Sequence, residues 1–98
     1  MSGSPHFKFR LYVAADTENS TQAIANLKTF CRSHLAHRHE IEIVDVLRKP
    51  LRALADGILM TPTLIKLGPS PGQKIIGTLS QPETLLRLLG LELESPAI

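Results

Sequence analysis

The sequence has one cysteine, no tryptophan and only 4% aromatic residues among its 98 residues. A single cysteine excludes a disulfide framework within the chain, which small secreted domains usually need. The N-terminus lacks the basic and then apolar plan of a signal peptide. The longest uncharged apolar run is too short to span a bilayer. We therefore expect a cytoplasmic protein that has no membrane partner.

Strong charge of either sign is also missing, since eleven Lys and Arg face nine Asp and Glu, for a formal net charge of +2. Nucleic-acid binding requires clustered cations, so we expect no nucleic-acid partner. A chain of this length forms one domain and has little surplus apolar surface for an internal cavity. Recognition through the protein surface is therefore favoured over a buried active site.

Hydrophobic patterning sets the domain bounds. Residues 1–6 are small and polar without periodicity, and we assign them to a flexible N-terminal segment. Residues 7–93 carry regular apolar patterns and are expected to form the single domain, with residues 94–98 as a short tail. All the functional residues should therefore lie within 7–93.

The first half of the domain has the pattern of a strand, a helix and a second strand. Apolar side chains alternate over 7–13, which predicts a strand with one buried face. Apolar residues recur at spacings of three and four from Ala23 to Leu35, which predicts a helix capped by Asn19, Ser20 or Thr21. The β-branched run over 41–47 predicts a largely buried second strand, parallel to the first through a right-handed crossover.

The second half has the pattern of a short helix, a hairpin and a last helix. Pro50 favours a helix start, and Gly57 favours its end. Two β-rich runs, 63–67 and 74–79, flank the turn-forming stretch 68–72 and predict an antiparallel hairpin. Pro82 and the leucines that follow predict a C-terminal helix. The chain is thus predicted to be an α/β protein of order βαβαββα.

The leucines of the last segment are more numerous than one helical stripe can bury. They are Leu85, Leu86, Leu88, Leu89, Leu91 and Leu93. Because unburied apolar side chains seek another apolar surface, we expect self-association to a dimer or tetramer.

Few residues suggest site chemistry. Cys31 lies on the apolar stripe of the first helix, where a thiol acts as a small hydrophobe. His34, His37 and His39 follow a helix end without a recognisable ligand spacing, so we expect neither a metal nor another cofactor. The basic residues Arg48, Lys49 and Arg52 suit either an acidic partner or a phosphate, or form a solvated face.

The element order resembles the thioredoxin fold, and residues 57–64 resemble its turn, in which a cis proline precedes the third strand. Redox members carry a Cys-x-x-Cys pair in the loop after the first strand. Here that loop, residues 14–21, contains no thiol. We therefore expect a protein that is not an enzyme, and a thiol oxidoreductase is disfavoured.

A resemblance to the KaiB circadian clock proteins covers almost the whole chain. It is carried by the motifs Leu11-Tyr-Val-Ala14, Thr17 to Ser20, Ile43-Val-Asp-Val-Leu47, Met60-Thr-Pro-Thr-Leu64, Lys74-Ile-Ile-Gly77 and Leu79-Ser80. The resemblance implies a non-catalytic adaptor that binds the hexameric ATPase and kinase KaiC and modulates its phosphorylation, in the cyanobacterial case by sequestering KaiA. The broken proline run Pro69-Ser-Pro71 and the short tail favour a divergent member from a system without KaiA.

The resemblance also implies two folds. KaiB proteins exchange a resting tetramer, with a βαα C-terminal half, for a thioredoxin-like monomer that binds KaiC. Candidate residues for partner binding or for the switch are Arg48, Lys49, Arg52, Thr61, Pro62, Thr63, Lys66, Gly77 and Gly90. The alternative function is a thioredoxin-like sensory or stress-response module without a clock role, similar to the N-terminal domain of the KaiC-binding histidine kinase.

Overall fold

The computed structural model describes residues 5–91, in which helices cover both faces of a four-stranded mixed sheet. The elements follow in the order β1 (Phe7–Val13), α1 (Glu18–His34), β2 (His39–Asp45), α2 (Pro50–Ala55), β3 (Thr63–Gly68), β4 (Gln73–Ile76) and α3 (Pro82–Leu88). The predicted order βαβαββα and the α/β class are therefore confirmed. Residues 1–4 and 92–98 lie outside the described range, as do the predicted tail and most of the predicted N-terminal segment.

Strand order in the sheet is β2-β1-β3-β4. β1 pairs in parallel with β2 and antiparallel with β3, and β3 pairs antiparallel with β4, which confirms the predicted crossover pair and hairpin. One core cluster joins β1 to α1 and α3, and a second cluster on the opposite face joins Tyr12 and Val44 to Ala53 of α2. Within residues 5–91, no helix is both long enough and apolar enough to cross a membrane.

The burial of two strands differs from the sequence prediction. β1 was expected to have one buried face, but Tyr12 on its other face is fully buried because α2 covers it. β2 was expected to be largely buried, and this is wrong, since Val44 is its only buried residue. The strand order places β2 at an edge of the sheet, where it has one neighbour, and Ile43 remains 40% exposed.

The start of α1 lies earlier than the three predicted caps. Thr17 is the N-cap, and its hydroxyl oxygen accepts a hydrogen bond from the Ser20 amide at 3.3 Å. The Ser20 hydroxyl accepts one from the Ala14 amide at 3.0 Å. Ser20 therefore fixes the loop from within the helix, while Thr17 satisfies one of the free amides of the first turn.

Most of the C-terminal leucines find space inside the chain. Leu85 and Leu89 are buried, Leu86 and Leu91 pack against the same core, and Leu88 is 38% exposed. Leu93 lies outside the described residues. The expectation that one stripe could not bury all of these leucines therefore holds for Leu88, whereas the others that are described contact the core because α3 and the turn after it both face it.

Candidate partner-binding surface

An ion-pair network fixes α2 against the sheet. Arg10 of β1 donates to Glu42 of β2 at 2.8 Å and to Asp56 after α2 at 3.0 Å. Arg52 of α2 holds the same Glu42 carboxylate through two hydrogen bonds of 2.8 and 3.0 Å. Such paired contacts orient a guanidinium more strictly than a single bond does. One set of charges therefore joins β1, β2 and α2 with its C-cap residue.

Asp56 is the point at which this network reaches the buried face of the sheet. The hydroxyl of the buried Tyr12 donates to the Asp56 carboxylate at 2.6 Å, and it lies 3.1 Å from the Arg52 carbonyl oxygen. Lys74 of β4 donates to the Asp56 carbonyl oxygen at 2.6 Å. The hydrogen bond from Tyr12, followed by the one from Arg10, lowers the pKa of the Asp56 carboxyl. Asp56 thus connects the first half of the chain to the hairpin.

The network predicts a pH-dependent stability. Hydrogen bonds from Arg52 and Arg10 lower the pKa of Glu42 from 4.5 to about 2. A lowered folded-state pKa stabilises the protein above the unfolded value, and this contribution is lost as the pH falls from about 4.5 towards 2. Because Glu42 is 45% exposed, we expect the contribution to be at most about 1 kcal/mol. Thermal unfolding of the wild type and Glu42→Gln should differ at pH 7 and converge as the pH approaches about 2, whereas a constant difference would contradict the assignment.

The segment around α2 exposes large apolar side chains. Leu51 is 78% exposed and Leu54 is 76% exposed, three residues apart on one face of the helix. We call the exposed residues of the segment 47–60 the α2 surface. Its large apolar members are Leu47, Leu51, Leu54, Leu59 and Met60. Several large apolar side chains exposed in one short segment are typical of an interaction site.

Part of the predicted basic cluster belongs to this surface. Arg48 and Lys49 are exposed, and within residues 5–91 neither forms an ion pair. Both line a shallow cleft with Arg52, which is turned towards Glu42. The structure thus brings Arg48, Lys49 and Arg52 together beside the exposed leucines. Arg48 and Lys49 are the two of them that remain available to a partner.

The remaining candidates lie in two other places. Thr61 and Pro62 are joined by a cis peptide, as the thioredoxin resemblance implied, and the Gly77 amide donates to the Pro62 carbonyl oxygen at 3.0 Å. Thr63 is buried, and its hydroxyl donates to the Met60 carbonyl oxygen at 2.6 Å. Thr61, Pro62 and Thr63 therefore support the C-terminal end of the α2 surface. Lys66 and Gly90 line a separate cleft on the opposite face of the sheet.

Sequence reasoning missed the apolar part of the α2 surface and the role of Asp56. In the structure α2 has six residues, and Ala53 is the one that faces the sheet. Leu51 and Leu54 therefore have to face outwards. No local signal identified Asp56, since its partners Tyr12 and Arg10 lie more than forty positions away in the chain.

The single thiol has no access to solvent. Cys31 is fully buried in the α1 core, and desolvation raises its pKa to about 12. A thiol that is neutral at neutral pH and buried is a poor nucleophile. We expect iodoacetamide to leave Cys31 unmodified in the native protein at pH 7.5 and to label it fully in denaturant, as measured by intact-mass spectrometry. Comparable labelling under both conditions would contradict this placement.

Within residues 5–91, no group of three His, Cys, Asp or Glu side chains is placed to hold a metal ion. The Nδ1 atom of His39 donates to the Leu35 carbonyl oxygen at 2.7 Å, and His34 packs against the Phe30 ring. These two histidines therefore have contacts at the end of α1 that need no ligand.

Comparison with known sequences gives a consistent result over most of the chain. A family model described as the KaiB domain matches residues 10–91. Circadian clock protein KaiB3 of Synechocystis sp. is 45% identical over 84 residues, which cover 86% of this chain and 80% of that protein. Circadian clock oscillator protein KaiB of Gloeothece citriformis is 42% identical over 87 residues, which cover 89% and 80%.

Comparison with solved structures confirms the thioredoxin-like fold. The N-terminal domain of Synechococcus elongatus SasA superimposes with a TM-score of 0.73 at 18% identity, covering 97% of this chain and 93% of that domain. Mitochondrial thioredoxin 3 of Saccharomyces cerevisiae gives 0.69 at 16% identity, covering 89% and 79%. At these identities the likeness concerns the fold alone.

Proposed function

Because the chain belongs to the KaiB family, we propose that it is a non-catalytic adaptor that binds a KaiC-type ATPase and kinase and modulates its phosphorylation state. The α2 surface is the observation that carries the proposal. It combines exposed leucines with two basic side chains that have no ion-pair partner within the described chain. Apolar anchors with a charged rim are the usual composition of a protein interface.

The absence of a cysteine pair from the loop after β1 supports an adaptor over an oxidoreductase. The loop between β1 and α1 is where redox members of the fold carry their cysteine pair, and here it contains no thiol. The only cysteine, Cys31, lies on the face of α1 that packs into the core, and it is buried there. A thiol-dependent reaction would therefore require a large opening of α1.

The proposal extends to the other expected partners. The exposed apolar residues of the α2 surface also suit self-association, so the resting protein is proposed to be a dimer or tetramer that competes with KaiC-type binding. Sequestration of KaiA is not required for this role. The site of action is the cytoplasm, together with the ATPase.

The phosphorylation state of the ATPase tests the proposal. The KaiC-type protein encoded in the same genome is incubated with ATP, with and without an excess of this chain, and its phosphorylated fraction is followed for hours on phosphate-affinity gels. We expect the two time courses to separate. Superimposable time courses, with the ATPase active in both, would contradict a modulating role.

A further inference from the structure

A second cleft lies on the face of the sheet opposite to α2. It has a volume of about 360 Å³ and is formed by the β3–β4 hairpin, its proline turn and the end of α3. Lys66 of β3, Gln73 of β4 and Arg87 of α3 line it. Lys66 and Gln73 are directly opposite each other in the antiparallel register, so their side chains share one face. Three polar groups from three elements therefore converge on one space.

Lys66 has little exposed surface, and no counter-charge for it lies among residues 5–91. The residue is 5% exposed, and its ammonium lies 5.9 Å from the centre of the Phe7 ring. No Asp or Glu lines the cleft among the described residues, and no carboxylate within residues 5–91 forms an ion pair with Lys66 or Arg87. Cationic side chains with little exposed surface are normally paired in proteins. The cleft thus presents two cationic side chains and no carboxylate among the described residues, which favours an anionic ligand.

Gln73 supplies a second, independent observation. Its side-chain oxygen Oε1 is buried and has no hydrogen-bond partner among residues 5–91. A buried acceptor without a donor is costly, and a bound ion or water is one of the usual ways in which such an atom is satisfied. The ammonium and guanidinium groups have only donors to offer, whereas Gln73 Oε1 requires a donor. A group that fits all three must both accept and donate hydrogen bonds.

We propose that this cleft is a binding site for a phosphate group, held by Lys66, Arg87 and Gln73. A monoprotonated phosphate offers several acceptor oxygens to the two cations and one hydroxyl to the Gln73 oxygen. A carboxylate has acceptors only and leaves Gln73 unsatisfied. The site is separated from the α2 surface by the sheet, so it does not depend on the function proposed above.

Inorganic phosphate is the probe for this site. It is titrated into the full chain at constant ionic strength, and the amide signals of Lys66, Gln73 and Arg87 are followed by NMR. We expect saturable shifts centred on these residues, with a dissociation constant of about 1 mM or below. Lys66→Met and Arg87→Gln should each raise this constant by about tenfold. Lys28→Met removes an exposed lysine of α1 and should leave it unchanged.

Three results would overturn the proposal. NMR shifts that rise linearly with the phosphate concentration without saturating, or that appear at all basic residues, would show that phosphate binds the protein nonspecifically. If phosphate binds the Arg87→Gln variant with unchanged affinity, Arg87 is not part of the site. Because Arg87 is exposed, this variant should fold, and the test remains valid even if Lys66→Met unfolds the protein. If phosphate binds only when Glu92 and Glu94 are both replaced by glutamine, the natural partners of Lys66 and Arg87 are these carboxylates of the chain itself and not an external phosphate.

Discussion

Replacing Leu51 and Leu54 together with glutamine should weaken binding of the chain to a KaiC-type ATPase by about tenfold or more. Each leucine is more than three quarters exposed in the free protein, so burial in an interface would remove most of its apolar area from water. Full burial of one leucine contributes about 1.5 to 3 kcal/mol. Glutamine has a similar helix propensity, and the fold itself should therefore keep its stability.

The matched control for the leucine pair is Leu88→Gln. Leu88 is a partly exposed leucine of α3, on the opposite face of the sheet from α2. Its replacement should leave the affinity unchanged when both variants are measured by isothermal titration calorimetry against the ATPase with ATP. An unchanged affinity for the Leu51 and Leu54 double variant would exclude the α2 surface as the main contact.

Replacing Gly77 and Gly90 together with alanine should shift the protein away from the thioredoxin-like form by about thirtyfold or more. Gly77 has φ +124° and Gly90 has φ +72°, and L side chains rarely adopt either conformation. Each substitution should cost about 1 to 3 kcal/mol in this form. If the chain has the second fold that KaiB resemblance implies, the population of that fold and of its oligomer should rise.

NMR spectra and light scattering of the double glycine variant provide the measurement, together with the rate of binding to the ATPase. Gly68→Ala is the control, because Gly68 does not have a positive φ and an added Cβ there would meet no atom within 4 Å. It should behave as the wild type. A double variant with unchanged spectrum, oligomer mass, thermal stability and binding rate would contradict both the strain and the switch.

Local pattern was sufficient for the order of the elements, and long-range pairing explains most of the differences. The alternation over 7–13 and the spacing of three and four in α1 predicted both elements, since each depends on residues close in the chain. The exposure of β2 depends on which strands flank β1, and strand order is set by contacts over large separations. The burial of Tyr12 also depends on a contact between residues distant in sequence, because α2 packs over it.

The candidate sites show the same division. Arg48, Lys49 and Arg52 were predicted as a cluster because they are adjacent in sequence, and the structure places them at one cleft. Lys66 was predicted only as a candidate for partner binding or for the switch, and the structure places it in a cleft between the hairpin turn and the end of α3. A lysine within a strand usually indicates a solvent-facing position, and no sequence pattern shows which element will cover that position.

Co-elution with the KaiC-type ATPase of the same genome tests the central claim most directly. The two proteins are mixed with ATP and sampled over several hours by size-exclusion chromatography, alongside the Leu51 and Leu54 double variant. We expect the wild type to move into the ATPase peak as a stable complex and the double variant to remain in its own peak. Absence of co-elution of the wild type with ATP, with ADP and without nucleotide would contradict the assignment of this chain as an adaptor of a KaiC-type ATPase.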